Sequence, residues 1–147
     1  MNTNHNLVKE ILKIKNQKGR IFFLGVGGSA GNASHAVNDF RKLCEIECYA
    51  PSDNVSELTA RINDNGWKSS FSEWLRVSNL NKNDAIFIFS VGGGNLKKKV
   101  SINLVEAIKY AKKVNSRILG TVGRDGGFTK RAGNSVVIVP NIDSDLV

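Results

Sequence analysis

Cysteine is scarce in this sequence: Cys44 and Cys48 are the only two among 147 residues. A zinc site needs more soft ligands than this pair supplies, and the count excludes a disulfide framework. Two partly buried free thiols are expected. No apolar run approaches the roughly 20 residues that span a bilayer. Residues 1–20 are polar and basic and lack the apolar centre of a signal peptide. A cytoplasmic chain without a membrane partner is therefore expected. No internal repeat, low-complexity tract or linker divides the sequence, so residues 1–147 are expected to form one domain. The net charge is +8, yet no aromatic RNA-binding strand, zinc finger or basic heptad accompanies it, and no nucleic-acid partner is expected. The charge gathers in Lys9–Arg20 and in Lys97-Lys98-Lys99. It serves either to steer anionic small molecules or only to keep the chain in solution.

Strand and helix signals alternate along the chain. Leu7, Ile11, Leu12 and Ile14 recur near helical spacing within Asn6–Asn16. Arg20–Leu24 is a short apolar run and predicts a buried strand. Ser29–Lys42 predicts a helix whose inner stripe is Ala33, Ala36, Val37 and Phe40. A strand over Glu45–Tyr49 is ended by Pro51. Asn54-Val55-Ser56-Glu57 and Ser70-Phe71-Ser72-Glu73 are capping-box patterns that open two more helices. The second has Phe71, Trp74 and Leu75 on its apolar face. Asp84–Ser90 is a continuous apolar run of the kind found in central parallel strands. A helix over Ser101–Val114 and strands over Arg117–Thr121 and Ser135–Val139 complete the series. Five strands alternating with helices predict an α/β three-layer sandwich around a parallel sheet. Ligands of such sheets bind beyond the carboxyl ends of the strands, where strand order switches. The loops Gly25–Ser29, Ser90–Asn95 and Thr121–Gly127 fall at such ends, and all are rich in Gly, Ser or Thr.

Gly25-Val26-Gly27-Gly28-Ser29 joins a strand end to a helix start. Unpaired N–H groups and the positive helix end make such a turn a cradle for phosphate. Ser29 is expected to cap the helix and add a hydroxyl to the cradle. His35 and Asp39 follow four residues apart, so they share one helix face. They form a candidate acid/base or metal pair next to a phosphate grip.

At this point the chain resembles the sugar isomerase (SIS) domain family, and within it the phosphoheptose isomerases. The resembling stretches are G-V-G-G-S-A-G-N-A-S-H-A-V-N-D-F (25–40), R-I-N-D-N-G-W (61–67), S-V-G-G-G-N (90–95) and G-T-V-G-R-D-G-G (120–127). The resemblance implies a flavodoxin-like sheet of order 2-1-3-4-5 and a homo-oligomer, dimer or tetramer, with sites at subunit interfaces. It implies interconversion of sedoheptulose 7-phosphate and D-glycero-D-manno-heptose 7-phosphate for bacterial surface polysaccharides. It also implies zinc or another divalent metal. Carried over residue by residue, it assigns phosphate binding to Gly27, Gly28, Ser29, Ser90, Gly93, Asn95 and Ser101. Catalysis falls to Asp39, His35 and Asp64, and metal binding to His35 and Asp39. Asp145 lies near a further family aspartate. Two departures stand out. Aspartate at position 39 replaces a family glutamate, one methylene longer. At Ser90 the family pattern Ser-Thr-Ser-Gly-Asn-Ser is altered, with Val91 and Gly92 in place of hydroxyl residues and the lysine run before Ser101. Gly92–Gly94 are expected to offer a nest of free N–H groups, with the lysines in reach of the phosphate. Family members carry further residues, a histidine and a glutamine, on a helix after the last strand, so the chain is expected to be a core shortened at both ends. A non-catalytic sugar-phosphate-binding module is the alternative to the enzyme.

Overall fold

The computed structural model describes residues 3–140, so Asp145 lies outside the described residues. Strand β1 (Ile21–Leu24) is flanked by β2 (Cys48–Tyr49) on one side and β3 (Ala85–Ser90) on the other. Beyond β3 lie β4 (Arg117–Val122) and β5 (Ser135–Ile138), giving the parallel order 2-1-3-4-5. The expected sheet is therefore present. The second strand is shorter than Glu45–Tyr49, with only Cys48 and Tyr49 paired.

Side chains alternate across β1 and build two separate cores. Phe22 and Leu24 join Ile86, Ile88 and Ile118 on one face. Helices α4 (Ser70–Val77) and α5 (Ile102–Lys113) cover it with Phe71, Trp74, Leu75, Leu104 and Ile108. Ile21 and Phe23 join Ala85, Phe87 and Leu119 on the other. Helices α1 (Thr3–Asn16) and α2 (Gly28–Lys42) cover that face with Ile14, Ala33 and Ala36. Both faces of the strands are buried, which is why they are apolar without a polar alternate. At about 25 cal/mol per Å², each fully buried Phe or Leu contributes roughly 2 kcal/mol. On α1, Leu7, Ile11 and Ile14 turn inward as expected, but Leu12 is 51% exposed.

Asn54 caps α3 (Val55–Asn65), its side-chain oxygen accepting from the Glu57 N–H at 3.1 Å. The reciprocal half of the box is absent, because the Glu57 carboxylate pairs with Arg61. The Ser70 box does not form. Ser70 is the first residue of α4, its hydroxyl donates to the Trp67 carbonyl, and Glu73 pairs with Arg76. A six-residue helix, α6 (Gly127–Ala132), follows the expected Thr121–Gly127 loop, in a stretch for which the sequence pattern predicts no element. Both cysteines are free. Burial pushes the Cys48 thiol up to about 12, so it stays protonated and inert at neutral pH.

Candidate active site

Two adjoining clefts open at the carboxyl edge of the sheet. The larger, about 490 Å³, is lined by Ser29 and Asn32 of α2, Phe89 and Ser90 of β3, Thr121, and Arg124. The smaller, about 370 Å³, is lined by Val26, Gly94, Asn95, Lys98, Ser101 and Asp125. Ser29, Ser90, Val91 and Arg124 belong to both walls. The clefts sit where β1 and β3 lead in opposite directions along the sheet, the switch point at which open α/β sheets bind ligands.

Four of the seven expected phosphate residues line these clefts: Ser29, Ser90, Asn95 and Ser101. The other three do not. Gly27 is the N-cap of α2 at φ 62°, and it and Gly28 lie exposed on the turn. Ser29 is thus inside the helix rather than its cap, and its N–H turns back to the Val26 carbonyl at 3.2 Å. The cradle is narrower than the glycine count suggests. Gly25 permits the fold-back, since a Cβ there would stand 2.2 Å from the Ser29 carbonyl oxygen.

The glycine nest is likewise closed at Gly93. Its N–H donates to the Ser90 hydroxyl at 3.0 Å, and its carbonyl accepts from both the N–H and the hydroxyl of Thr129. Gly93 ties the β3 loop to α6. The Ser90 hydroxyl still has its own proton to donate. A Cβ at Gly93 would fall 1.9 Å from the Gly126 carbonyl oxygen, at a φ of 67° that disfavours any side chain. Gly93→Ala is therefore expected to cost roughly 2–4 kcal/mol, read as a lower midpoint in urea unfolding.

Asn95 and Val100 exchange two backbone hydrogen bonds, of 2.9 and 3.0 Å, and close the inserted segment into a hairpin. The Asn95 side-chain oxygen accepts from the Lys98 N–H. Ser101 starts α5 in the left-handed region, at φ 49°, with no side-chain bond to its own helix. Arg124, on the lining of the same cleft, shares this conformation at φ 51°, as does Lys99 in the hairpin at φ 53°. Such backbone costs of order 1–3 kcal/mol per residue and gathers at functional sites. Asp125 shapes the turn, accepting from the Gly127 N–H at 3.1 Å.

His35 and Asp39 lie further along α2, with Nε2 and Oδ2 3.2 Å apart and side chains 76% and 44% exposed. Ser29, Asn32, His35 and Asp39 follow at steps of three and four, so they form one stripe that leaves the larger cleft. At 1.5 Å per residue, His35 and Asp39 are about 9 and 15 Å along the axis from Ser29. Asp64 is not brought to either cleft. It is exposed in the last turn of α3 and accepts from the Asn63 side chain. Catalytic zinc takes three protein ligands. Among the described residues no group of three His, Cys, Asp or Glu is close enough to hold a metal. The His35–Asp39 pair alone does not fit one.

No family model matches the chain. It is 34% identical over 134 residues to the phosphoheptose isomerase of Nitratiruptor sp., an overlap covering 87% of this chain and 67% of that protein. The chain belongs to the phosphoheptose isomerase family. The phosphoheptose isomerase of Helicobacter pylori is 28% identical over 142 residues, 93% of this chain and 70% of that one. The solved phosphoheptose isomerase of Neisseria gonorrhoeae superposes at a TM-score of 0.80 and 27% identity, covering 92% and 71% of the two chains. Membership of the phosphoheptose isomerase family carries the reaction class, isomerisation of a phosphosugar. Asn32, Thr121 and, most consequentially, Arg124 are cleft residues that sequence reasoning missed. The signal for Arg124 was present, a cation in a Gly-rich loop at a strand end, but nothing local tells whether its guanidinium meets a cleft.

Proposed function

We propose that the chain interconverts sedoheptulose 7-phosphate and D-glycero-D-manno-heptose 7-phosphate, supplying heptose for bacterial surface polysaccharides. The stripe on α2 carries this reading. It runs along one helix face from a hydroxyl-lined cleft to a proton-transfer pair. Ser29, Ser90 and Ser101 hold the phosphate, Asn32 and Thr121 meet the sugar hydroxyls, and Asp39 acts as base. Asp39 takes a proton from C1 of the ketose while the C2 oxygen gains one, giving an enediol. Returning the proton to C2 and releasing that of the C1 hydroxyl gives the aldose. His35, hydrogen-bonded to Asp39, orients the carboxylate and shares the proton. A metal seated on His35 and Asp39 needs a third donor from outside the described residues, and no step is routed through one.

An open helix face is a poor place for proton transfer, because water competes there. We propose a homo-oligomer, dimer or tetramer, that covers it. Exposed Val8 and Leu12 on α1 and Leu43 after α2 support this reading. Among the described residues no helix is long and apolar enough to cross a membrane. Two free thiols suit the reducing cytoplasm.

The test is a proton NMR time course with sedoheptulose 7-phosphate in deuterated buffer, with zinc and again with chelator. Aldose formation with deuterium at C2 is expected. Saturable binding without turnover in either condition would instead make the chain a sugar-phosphate-binding module. Ser29→Ala is expected to weaken sugar-phosphate binding by about 1–3 kcal/mol, read by titration calorimetry. Unchanged affinity would remove Ser29 from the phosphate site.

A further inference from the structure

The hairpin between Asn95 and Val100 carries three consecutive lysines, and only Lys98 lines the smaller cleft. The backbone decides this. Two Asn95–Val100 hydrogen bonds close the loop, the Asn95 side chain holds the Lys98 N–H at 3.0 Å, and Lys99 takes a left-handed turn. Arg124 lines the same cleft from the loop after β4. Neither cation takes part in an ion pair among the described residues. Asp125 is the single carboxylate on this lining, and one of its oxygens is engaged by the Gly127 N–H. The cleft therefore holds two cations outside any direct ion pair, against one carboxylate, beside the hydroxyls of Ser90 and Ser101.

We propose that Lys98 and Arg124 clamp the phosphate dianion of the substrate in the smaller cleft, making Lys98 a specificity-determining residue for phosphorylated over neutral sugars. The proposal rests on the phosphosugar isomerase reading and adds a cationic grip to its hydroxyl site. The sugar then extends through the larger side of the shared opening, where Arg124 is the one charged lining residue, towards α2. An ammonium and a guanidinium suit this division of work, since Arg binds two phosphate oxygens at once and Lys adds a point charge.

The test titrates the full chain with inorganic phosphate and with sedoheptulose 7-phosphate, and measures kcat and KM. Lys98→Gln is expected to raise the phosphate Kd and the KM about tenfold, with kcat little changed, and to flatten their dependence on salt. Arg124→Gln is expected to do the same, and Arg124→Lys to recover part of the loss. Lys97→Gln, outside the cleft, keeps wild-type values. A Lys98→Gln protein that melts like wild type and binds phosphate with the wild-type Kd overturns the clamp, as does a wild-type chain that binds no phosphate. Turnover that ignores Lys98 removes the clamp and leaves the isomerase. Lys98-dependent phosphate binding without turnover keeps the clamp and removes the isomerase.

Discussion

Asp39→Asn is expected to lower the kcat for sedoheptulose 7-phosphate by about 10²–10⁴-fold, the usual contribution of a positioned general base. Asparagine has the size of aspartate and still accepts a hydrogen bond from His35, but it takes no proton from carbon. Stability should barely change. The Asp39 side chain is 44% exposed and its partner His35 76% exposed, and such open pairs contribute about 0–1 kcal/mol. The readout is therefore kcat at an unchanged melting temperature, with KM close to wild type because the phosphate is held elsewhere. Asp39→Glu is the informative companion. It keeps the carboxylate and adds the methylene found in the family pattern, so it should retain turnover within roughly tenfold, the scale of a small misplacement. Wild-type kcat in Asp39→Asn would remove Asp39 from catalysis and leave the α2 stripe as a polar subunit face.

Asp84→Ala is expected to be the most destabilising single change, by about 3–5 kcal/mol. Asp84 is 2% exposed and sits before β3 at the amino edge of the sheet, opposite the clefts. Its carboxylate accepts from the Arg20 N–H at 2.9 Å, from the Arg20 guanidinium at 2.8 Å and from the Asn81 N–H at 3.1 Å. These bonds join the start of β1 to the turn before β3. The hydrogen bond to Asp84 is also the largest influence on the Arg20 guanidinium, raising its pKa against the opposing effect of burial. Removing the carboxylate strands a half-buried cation, which costs more than the pair is worth. The Asp84 carbonyl bonds from Ser116 and Arg117 belong to the backbone and survive. Melting temperature and urea midpoint should both fall, the former by roughly 10 °C for a chain of this size. The catalytic constants of the protein that remains folded should not change. A fall below about 2 °C would mean that water replaces the carboxylate without loss.

The two predictions probe opposite edges of one sheet, and the sequence was legible to different depths at each. The β3 run Asp84–Ser90 was plain from composition, but Asp84 looked like its first residue rather than a knot. Its partner Arg20 is 64 residues away, and the Glu10–Arg117 pair that fastens α1 to β4 spans 107. No local pattern encodes such pairings. At the clefts, the family resemblance singles out Ser29, Ser90, Asn95 and Ser101, and the fold brings all four to the cleft walls. Gly93 was ambiguous in sequence because a glycine at positive φ serves a nest and a tight backbone crossing equally well. Only its packing against Gly126 chooses between them.

By itself the sequence determined the element types, the parallel α/β class and the shared face of His35 and Asp39 on α2. These follow from period, caps and turn residues that act within a few positions. The six-residue α6 escaped because so short a helix carries less than two turns of periodicity. Tertiary structure alone decided which of three adjacent lysines meets the cleft, that Arg124 joins it there, and that Asp64 does not. Those outcomes depend on how separate loops meet at the sheet edge. A loop residue's environment is set by backbone folded against it from far along the chain, not by its neighbours in sequence.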